Sequence, residues 1–379
     1  MFFNLEIFDD TFFIVLASIT IILFVIQIIY LIRTGNSFIS KGVSPDNNLR
    51  ELPPVSILIC MRDNFHIIKK QIMALSNQEY GKYEIIVVNY TAQDTENEDF
   101  TMWVRQVPNL IFFTIHERSN FKCSKIYPLS IGVKAAQYDL VITTHLDCIP
   151  TSIYWLRSMV ASLNSKHNVA GIANFKSGKG FFNKLIRYEQ SKYNMEFLSY
   201  IANGHPYTIS TRNFLFKKSD FLIPENLVNY FQACNDGTAV FNKFTGKSET
   251  SYIFDDYAQI SIESKQNLAT WFTHVSRRYS NVMYSKSIGK TIKVIYALST
   301  FLFFISCLLL CIFFNQFILP IIALILIRII LWYFLRRKAL KKLNQVDLIN
   351  TFPILDVVLW FIIPFFYLSS LKMKKNLWV

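Results

Sequence analysis

The most informative part of the sequence is residues 124–147, SKIYPLSIGVKAAQYDLVITTHLD. Residues 124–138 have the apolar spacing of an amphipathic helix. Residues 139–147 contain a short apolar run, end in polar residues and lie just before Pro150, which is typical of a buried strand. A helix that leads directly into a buried strand predicts an α/β unit.

Three similar apolar runs precede this unit, and each predicts a further strand. They are PVSILIC at residues 54–60, YEIIVVN at 83–89 and IFFTI at 111–115, and the first two are separated by helical periodicity over 64–77. Strands alternating with helices of this length predict an α/β fold with a mostly parallel sheet. Ligands bind such sheets beyond the carboxyl ends of the strands. The candidate functional residues therefore follow the strands: Arg62 and Asp63, Asn89 to Asp94, and His145 to Cys148.

Long apolar segments lie toward both ends of the chain. Residues 11–32 carry no charge, and at about 1.5 Å per residue they span about 33 Å, enough for a hydrocarbon core of about 30 Å. A cleaved signal peptide would begin with basic residues and have a shorter apolar stretch, whereas this N-terminus is acidic, so we predict a retained anchor. Residues 294–314 and 317–335 predict a transmembrane hairpin with its turn at Asn315 and Gln316.

A further apolar segment covers residues 352–371 and contains Pro353, Asp356 and Pro364. It either spans the membrane or lies at the interface as a broken helix. The sequence leaves both alternatives open.

Basic residues predict the orientation in the membrane. One cluster precedes the hairpin and another follows it: Arg277, Arg278, Lys286, Lys290 and Lys293, then Arg336, Arg337, Lys338, Lys341 and Lys342. The positive-inside rule places both clusters in the cytoplasm, together with the middle of the chain. We predict an integral protein of a bacterial-type inner (cytoplasmic) membrane.

The composition excludes several classes of protein. Hydrophobic residues make up 52% of the 379 residues, and Lys plus Arg (39) exceed Asp plus Glu (26), which gives a formal charge of +13. This hydrophobicity excludes a disordered chain. Anionic lipid headgroups explain the basic excess, and we expect no nucleic-acid partner. The six cysteines have neither CxxC nor zinc-site spacing, so reduced structural thiols are expected.

Six blocks, in this order, resemble the membrane-bound family-2 glycosyltransferases with a GT-A fold. They are LPPVSILICMRDN, YEIIVVNYTAQDT, KIYPLSIGVKAAQYDLVITTHLDCIPTSIYWL, STRNFLFKKSDF, NDGTAVFNK and TWFTHVSRRYS. The resemblance implies a Rossmann-like nucleotide-sugar domain with N- and C-terminal transmembrane helices. It also implies transfer of a hexose-type sugar from a nucleoside-diphosphate donor, a UDP-sugar by preference, to a lipid, polysaccharide or other acceptor, usually with Mg²⁺ or Mn²⁺.

The resemblance divides the chain into three parts. Residues 1–34 are the N-terminal transmembrane anchor and residues 35–290 the cytoplasmic GT-A-like domain. Residues 291–379 contain the transmembrane hairpin and the third spanning or interfacial segment.

The donor site implied by the resemblance departs from the family pattern. The position that usually holds a base-binding Asp is Tyr90, with Asp94 four residues on. Tyr90 either stacks on the base or closes that part of the pocket as a buried aromatic. The Asp-x-Asp metal motif is His145-Leu146-Asp147, which leaves Asp147 as the candidate ligand for Mg²⁺ or Mn²⁺. Arg62 and Lys125 match basic positions near the donor.

The catalytic and acceptor blocks are also altered. The general-base block aligns its usual position with Gly237, so the only base candidate there is Asp236, one residue away; the alternative is an Asp-Gly turn. The family's Gln-x-x-Arg-Trp block matches His274, Arg277 and Arg278, where the two arginines bind donor phosphate or serve as basic residues before the hairpin.

Arg212 and Asn213 match an Arg-Asn pair that precedes an apolar helix in the acceptor region of the family. The basic aromatic stretch at residues 179–199 predicts a helix that either lies at the membrane interface or packs on the sheet.

The scaffold blocks are kept while several carboxylates are replaced. The sequence therefore predicts a membrane glycosyltransferase with a remodelled site, or an inactive relative that acts as a partner or scaffold subunit in a membrane glycan pathway. The partners expected are a nucleotide-sugar donor, a membrane lipid or glycan acceptor, the membrane itself and, for an inactive protein, a partner glycosyltransferase. A channel or transporter is less favoured because the apolar helices lack rows of charged residues.

Overall fold

The computed structural model describes residues 2–38, 52–91, 98–116, 126–164, 166–206, 208–221, 250–283 and 288–372. Its strands, in chain order, are β1 Val55–Met61, β2 Tyr83–Thr91, β3 Leu110–His116, β4 Leu140–His145, β5 Cys148–Pro150, β6 Asn168–Ala170, β7 Ala173–Phe175, β8 Phe214–Lys217, β9 Thr250–Tyr252 and β10 Ile260–Ile262.

The helices outside the apolar segments are α2 Phe65–Ser76, α3 Glu98–Val104, α4 Ile126–Ala135, α5 Trp155–Ala161, α6 Phe181–Ala202 and α7 Leu268–Met283. The long apolar helices are α1 Phe2–Asn36, α8 Ile288–Phe313, α9 Ile318–Lys342 and α10 Phe352–Lys372. Short 3-10 helices lie at Lys218–Phe221, Asp256–Ala258, Asn315–Phe317 and Val346–Leu348.

The predicted strands form one edge of a larger mixed sheet. Seven strands have the order β3-β2-β1-β4-β8-β6-β9, and β5, β10 and β7 form a second sheet of three strands. β1, β2, β3 and β4 are parallel, whereas β8 runs antiparallel to both β4 and β6. The predicted α/β fold with a mostly parallel sheet is confirmed.

The order of the parallel strands places a topological switch point between the carboxyl ends of β1 and β4, which is called the crevice below. The chain moves from β1 outward to β2 and β3, then returns to place β4 on the other side of β1. This reversal is the point at which ligands bind in open α/β sheets. Cys60 of β1 lies opposite His145 of β4, so the ends of these two strands meet at the crevice.

Buried aliphatic side chains explain why β1, β2 and β4 are central. Ile57, Leu58, Val87, Val88 and Ile142 are at most 1% exposed and divide between cores on the two faces of the sheet. Strands buried on both faces give continuous apolar runs rather than alternation, which is why these runs were visible in the sequence.

One detail differs from the expectations. The chain after Asn213 forms strand β8, not an apolar helix, because its apolar residues complete the sheet beside β4. Of the basic aromatic stretch, residues 181–199 lie in α6, where Gln190 and Asn194 donate hydrogen bonds to the Ala173 carbonyl of β7. This helix packs on the sheet, and Phe181 at its start is 54% exposed.

Within the described ranges, four helices are long and apolar enough to cross a membrane: Thr11–Asn36, Ile288–Phe313, Asn315–Lys342 and Phe352–Leu371. The turn of the predicted hairpin lies at Asn315–Phe317. α1 packs against α8 and α9, with Tyr30 stacked on Tyr296 at a ring distance of 3.7 Å. The charged Arg328 of α9 is hydrogen-bonded to Gln27 of α1, which compensates part of the cost of a charge at this depth.

α10 joins the membrane helices to the sheet domain. It is continuous through Pro364, so this segment is one unbroken helix. Phe366 is fully buried and contacts Trp271 and Tyr279 of α7. The loop before α10 is attached to α6, because Arg187 of α6 pairs with Asp347 in this loop at 2.6 Å.

Candidate functional site

The carboxyl end of β4 carries the two polar residues of the His-Leu-Asp motif. β4 ends at His145, and the chain turns through Leu146 and Asp147 before β5 begins at Cys148. Gln71 of α2 fixes this turn by donating hydrogen bonds to the carbonyl oxygens of His145 and Cys148. Asp147 is thereby held at the crevice beside the end of β1.

Among the described residues, three side chains contact the Asp147 carboxylate. Arg212 Nη1 lies 3.3 Å from Oδ2, the Ser264 hydroxyl donates to Oδ2 at 2.6 Å, and Cys148 Sγ lies 3.5 Å from Oδ1. Burial by itself raises the pKa of Asp147, but the charges of Arg212 and His145 and the two hydrogen bonds outweigh burial and hold the pKa well below its ordinary value. Asp147 is therefore a carboxylate at neutral pH.

The turn before β8 docks on the end of β4 through consecutive residues. Thr211 Oγ1 lies 2.9 Å from His145 Nε2, and the next residue, Arg212, pairs with Asp147. Because β8 pairs with β4 in an antiparallel register, the residues before β8 must lie beside the residues that follow β4. The sheet thus brings together His145, Asp147 and Arg212.

Asn213 anchors this turn from below. Its side chain is completely buried. The Nδ2 group donates to the Ile172 and Ala258 carbonyls at 3.0 and 2.8 Å. The Oδ1 atom accepts from Trp155 Nε1 at 3.1 Å. Its polar atoms are engaged by the protein, so direct contact of Asn213 with an acceptor does not fit this structure. Asn213 has a structural role in holding Arg212 in place.

The ends of β1 and β2 are also joined by hydrogen bonds. Asp63 has a left-handed φ of 51°, and its carboxylate accepts from Asn89 Nδ2 at 3.1 Å and Thr91 Oγ1 at 2.7 Å. Arg62 directly precedes Asp63 and therefore also lies at the crevice. Tyr90 is only 1% exposed, which agrees with the alternative in which it closes part of the pocket.

His274, Arg277 and Arg278 all lie on α7. His274 is exposed and Arg277 half-buried. Arg278 pairs with Glu189 at 2.9 Å and covers the ring of Tyr193 at 3.9 Å, and both partners belong to α6. The contacts of Arg278 are thus with the helix that joins the sheet to the membrane helices, not with the end of β4.

Three predicted site residues lie outside the described residues: Asp94, Lys125 and Asp236. Their assigned roles in base recognition, donor binding and catalysis stay predictions.

The described residues at this edge do not fit a divalent cation. Mg²⁺ and Mn²⁺ prefer several oxygen ligands, but the only carboxylate at the end of β4 already accepts hydrogen bonds from Arg212 and Ser264 on the same oxygen. His145 Nε2 contacts Thr211. Within the described ranges no group of three His, Cys, Asp or Glu side chains could hold a metal ion.

Sequence reasoning missed several residues of this site: Gln71, Thr211, Ser261, Glu263 and Ser264. Thr211 had a weak signal, since it stands directly before the recognised Arg-Asn pair. Ser264 had none, because it reaches Asp147 through the pairing of β10 with β5, and the Glu263 amide donates to the Asp147 carbonyl at 2.8 Å. The Glu263 carboxylate pairs with Lys70 and Lys176, each at 3.2 Å.

Comparisons with known proteins agree with this architecture. Residues 56–223 match the profile described as Glycosyl transferase family 2. The structure is similar to the mannosyltransferase PcManGT from Pyrobaculum calidifontis in complex with GDP-Man and Mn²⁺, with a TM-score of 0.53 and 15% identity over 88% of this chain and 96% of that chain. It also matches S. aureus TarS 1-349 in complex with UDP-GlcNAc, with a TM-score of 0.40 and 14% identity over 78% and 90% of the two chains.

No curated protein sequence matches the chain. The profile match begins in β1 and ends just after β8, so it contains the crevice, the His-Leu-Asp turn and the Thr-Arg-Asn turn. The match and the observed sheet identify residues 56–223 as a family-2 glycosyltransferase domain, and the fold of the chain is GT-A-like.

Proposed function

We propose that the protein is a membrane-anchored glycosyltransferase that transfers a sugar from a nucleoside-diphosphate donor to a lipid or polysaccharide acceptor. The observation that carries the proposal is the ionised Asp147 paired with Arg212 at the crevice between β1 and β4. Ligands of open α/β sheets occupy this position, and a charged cluster there is suited to a diphosphate.

The contacts between the sheet and the membrane helices favour an acceptor that is delivered from the membrane. α6 packs on β7 through Gln190 and Asn194, and the same helix pairs with α8 through Lys293 and Glu196. A lipid or growing glycan held at the membrane surface would therefore lie beside the domain that carries the donor crevice.

The remaining assigned roles are proposals that rest on the sequence match. Arg62 and Lys125 bind donor phosphates, Asp94 contacts the nucleotide, and Asp236 removes the acceptor proton. Arg277 also binds the donor, and His274 lies on the acceptor side. The assignment of Mg²⁺ or Mn²⁺ to Asp147 stays a sequence-based prediction, and donor binding as proposed here does not require it.

The nucleotide is proposed to be a uridine diphosphate by sequence resemblance. The Pyrobaculum mannosyltransferase is in complex with GDP-Man, so guanosine diphosphate must be tested beside it. The proposed location is a bacterial-type inner membrane, with residues 35–290 facing the cytoplasm between the anchor 1–34 and the C-terminal helices of 291–379. The two basic clusters that flank the hairpin support this orientation.

A second candidate is an inactive glycosyltransferase-like subunit that binds a partner glycosyltransferase. It is favoured by the loss of the first metal-motif carboxylate to His145 and by the engagement of Asp147 with protein groups. Losing one preorganised electrostatic contact typically lowers the rate about 10²–10³-fold, so turnover has to be measured separately from binding.

The test is a calorimetric titration of the detergent-solubilised protein with UDP and GDP, each with and without Mn²⁺. We expect micromolar binding of one nucleotide that is lost in Asp147→Ala. The matched control is Asp139→Ala, which removes an exposed carboxylate just before β4, at the opposite end of the same strand. Loss of binding in both variants, or in neither, contradicts the proposed site.

Turnover is then measured as release of nucleoside diphosphate from UDP-sugars and GDP-mannose in the presence of membrane lipids. Release that depends on Asp147 supports the glycosyltransferase. Binding without release supports the inactive subunit, and absence of binding to either nucleotide overturns both candidates.

A further inference from the structure

The cation that faces Asp147 in this structure is an arginine. In the proposed donor site, a carboxylate at the end of β4 would be expected to hold a divalent ion against the diphosphate. Here Arg212 Nη1 lies 3.3 Å from Asp147 Oδ2 and 3.5 Å from Oδ1. The positive charge at this position is supplied by the chain itself.

Hydrogen bonds from neighbouring residues hold both Arg212 and Asp147 in place. Asn213, the next residue, is buried and anchored by three hydrogen bonds to Trp155, Ile172 and Ala258. Ser264 donates to the same carboxylate oxygen from the other side. The arginine backbone and the carboxylate are therefore both held by the core, and a metal ion would have to displace a guanidinium and a hydroxyl to use Asp147.

Arginine has the chemistry that a diphosphate requires. Its guanidinium is always charged and presents five N–H donors in a planar fork that binds phosphate oxygens bidentately. The side chain of Arg212 is 18% exposed, so it is held by Asp147 yet reaches solvent at the crevice. An arginine oriented by a carboxylate is ready to accept an anion without a metal.

We propose that Arg212 is the donor-diphosphate cation of this protein, oriented by Asp147 and taking the place of a divalent metal ion. The inference rests on the proposed function, since it names the group that binds the donor at that site. It assigns Arg212 to the donor rather than to the acceptor, and it makes Asp147 a positioning residue.

The experiment is the titration with UDP and GDP, carried out once in excess EDTA and once with Mn²⁺. We expect the same dissociation constant in both conditions, within about two-fold. Arg212→Ala should weaken binding roughly ten- to a hundred-fold, the scale of a hydrogen bond between charged groups. Arg212→Lys keeps the charge but not the planar fork of donors, so its affinity for the nucleotide should lie between those of the unaltered protein and of Arg212→Ala.

The control variant is Arg157→Ala, which removes an exposed arginine on α5 and should leave nucleotide binding unchanged. If Arg212→Ala fails to fold, Arg212→Lys and the EDTA comparison on the unaltered protein still decide the question. A Mn²⁺ titration followed by electron paramagnetic resonance, without nucleotide, adds a readout that does not depend on turnover. We expect no stoichiometric loss of the free-ion signal.

The outcomes separate this inference from the proposed function. Nucleotide binding that requires Mn²⁺, or a stoichiometric Mn²⁺ site that Asp147→Asn removes, overturns the role of Arg212 and leaves the glycosyltransferase proposal standing. Absence of nucleotide binding in EDTA and in Mn²⁺ alike overturns both. Metal-independent binding that Arg212→Ala abolishes supports both.

Discussion

Two carboxylates, Asp147 at the crevice and Glu189 at the junction with the membrane helices, are each paired with an arginine, but their pKa values are shifted in opposite directions. Around Asp147, the contacts of Arg212, Ser264 and Cys148 outweigh burial, and the pKa falls. Burial raises the pKa of Glu189 despite the charge of Arg278 2.9 Å away.

Hydrogen bonding explains the difference. Both Asp147 oxygens receive a contact from a protein group, whereas Glu189 Oε2 is buried and has no hydrogen-bond partner among the described residues. A nearby cation compensates a buried carboxylate only when the remaining lone pairs are also satisfied. The hydrogen bonds at the crevice therefore keep Asp147 charged beside Arg212, whereas the pair at the junction links α6 to α7.

The largest expected effect comes from breaking the frame that holds the crevice. Asn213→Ala removes three buried hydrogen bonds. The Trp155 indole and the Ala258 carbonyl lose their Asn213 partner, whereas the Ile172 carbonyl keeps the hydrogen bond from the Ile260 amide. We expect a loss of about 3–5 kcal/mol in the free energy of unfolding, because each unsatisfied buried group costs about 1–3 kcal/mol. Thermal unfolding in detergent measures it, with the exposed Asn64→Ala as the control. An unchanged midpoint would contradict the anchoring role.

Breaking the pair at the junction should have the next largest effect. Arg278→Ala leaves Glu189 buried without its arginine and should cost about 3 kcal/mol at pH 7. Adding Glu189→Gln to this variant should restore part of the stability, because the uncompensated charge is removed. The same unfolding midpoints measure both variants. A double variant that is no more stable than Arg278→Ala would mean that Arg278 acts through packing on Tyr193 instead.

Ser264→Ala tests whether the hydroxyl helps to keep Asp147 ionised. It should lower the free energy of unfolding by about 1–2 kcal/mol, since a hydrogen bond to a charged group is lost. Ser261→Ala is the matched control, because Ser261 also donates to a carboxylate, that of Glu263 rather than Asp147. Equal effects of the two substitutions would show that the crevice gives Ser264 no special role.

The smallest expected effects are opposite slopes of stability with pH. The lowered pKa of Asp147 stabilises the fold above its unfolded pKa of about 3.9, and this contribution is lost as the pH falls. The raised pKa of Glu189 stabilises the fold below its unfolded pKa of about 4.3, and this contribution is lost as the pH rises through the folded value.

Unfolding midpoints between about pH 3 and pH 8 measure these slopes. Asp147→Asn should flatten the acid side of the curve, and Glu189→Gln should flatten the decline at higher pH. Slopes that stay unchanged in both variants would contradict the difference between the two carboxylates.

Much of the fold was predictable because its signals are local. β1, β2 and β4 are buried on both faces, so each appears as a continuous apolar run. The long helices appear because a membrane-spanning helix needs an uninterrupted apolar segment. The short strands β5, β6, β7, β9 and β10 have three residues each, too few for a pattern to develop.

The site was predictable only in part, because some of its contacts join residues that are far apart in the sequence. The sequence alone identified Asp147 and predicted that it follows a central strand, since strand and turn are adjacent in the chain. Its partners Arg212 and Ser264 are 65 and 117 residues away, and only the pairing of β8 with β4 and of β10 with β5 brings them to it. Periodicity records which face of an element is buried, but the charge beside a carboxylate depends on which strands become neighbours.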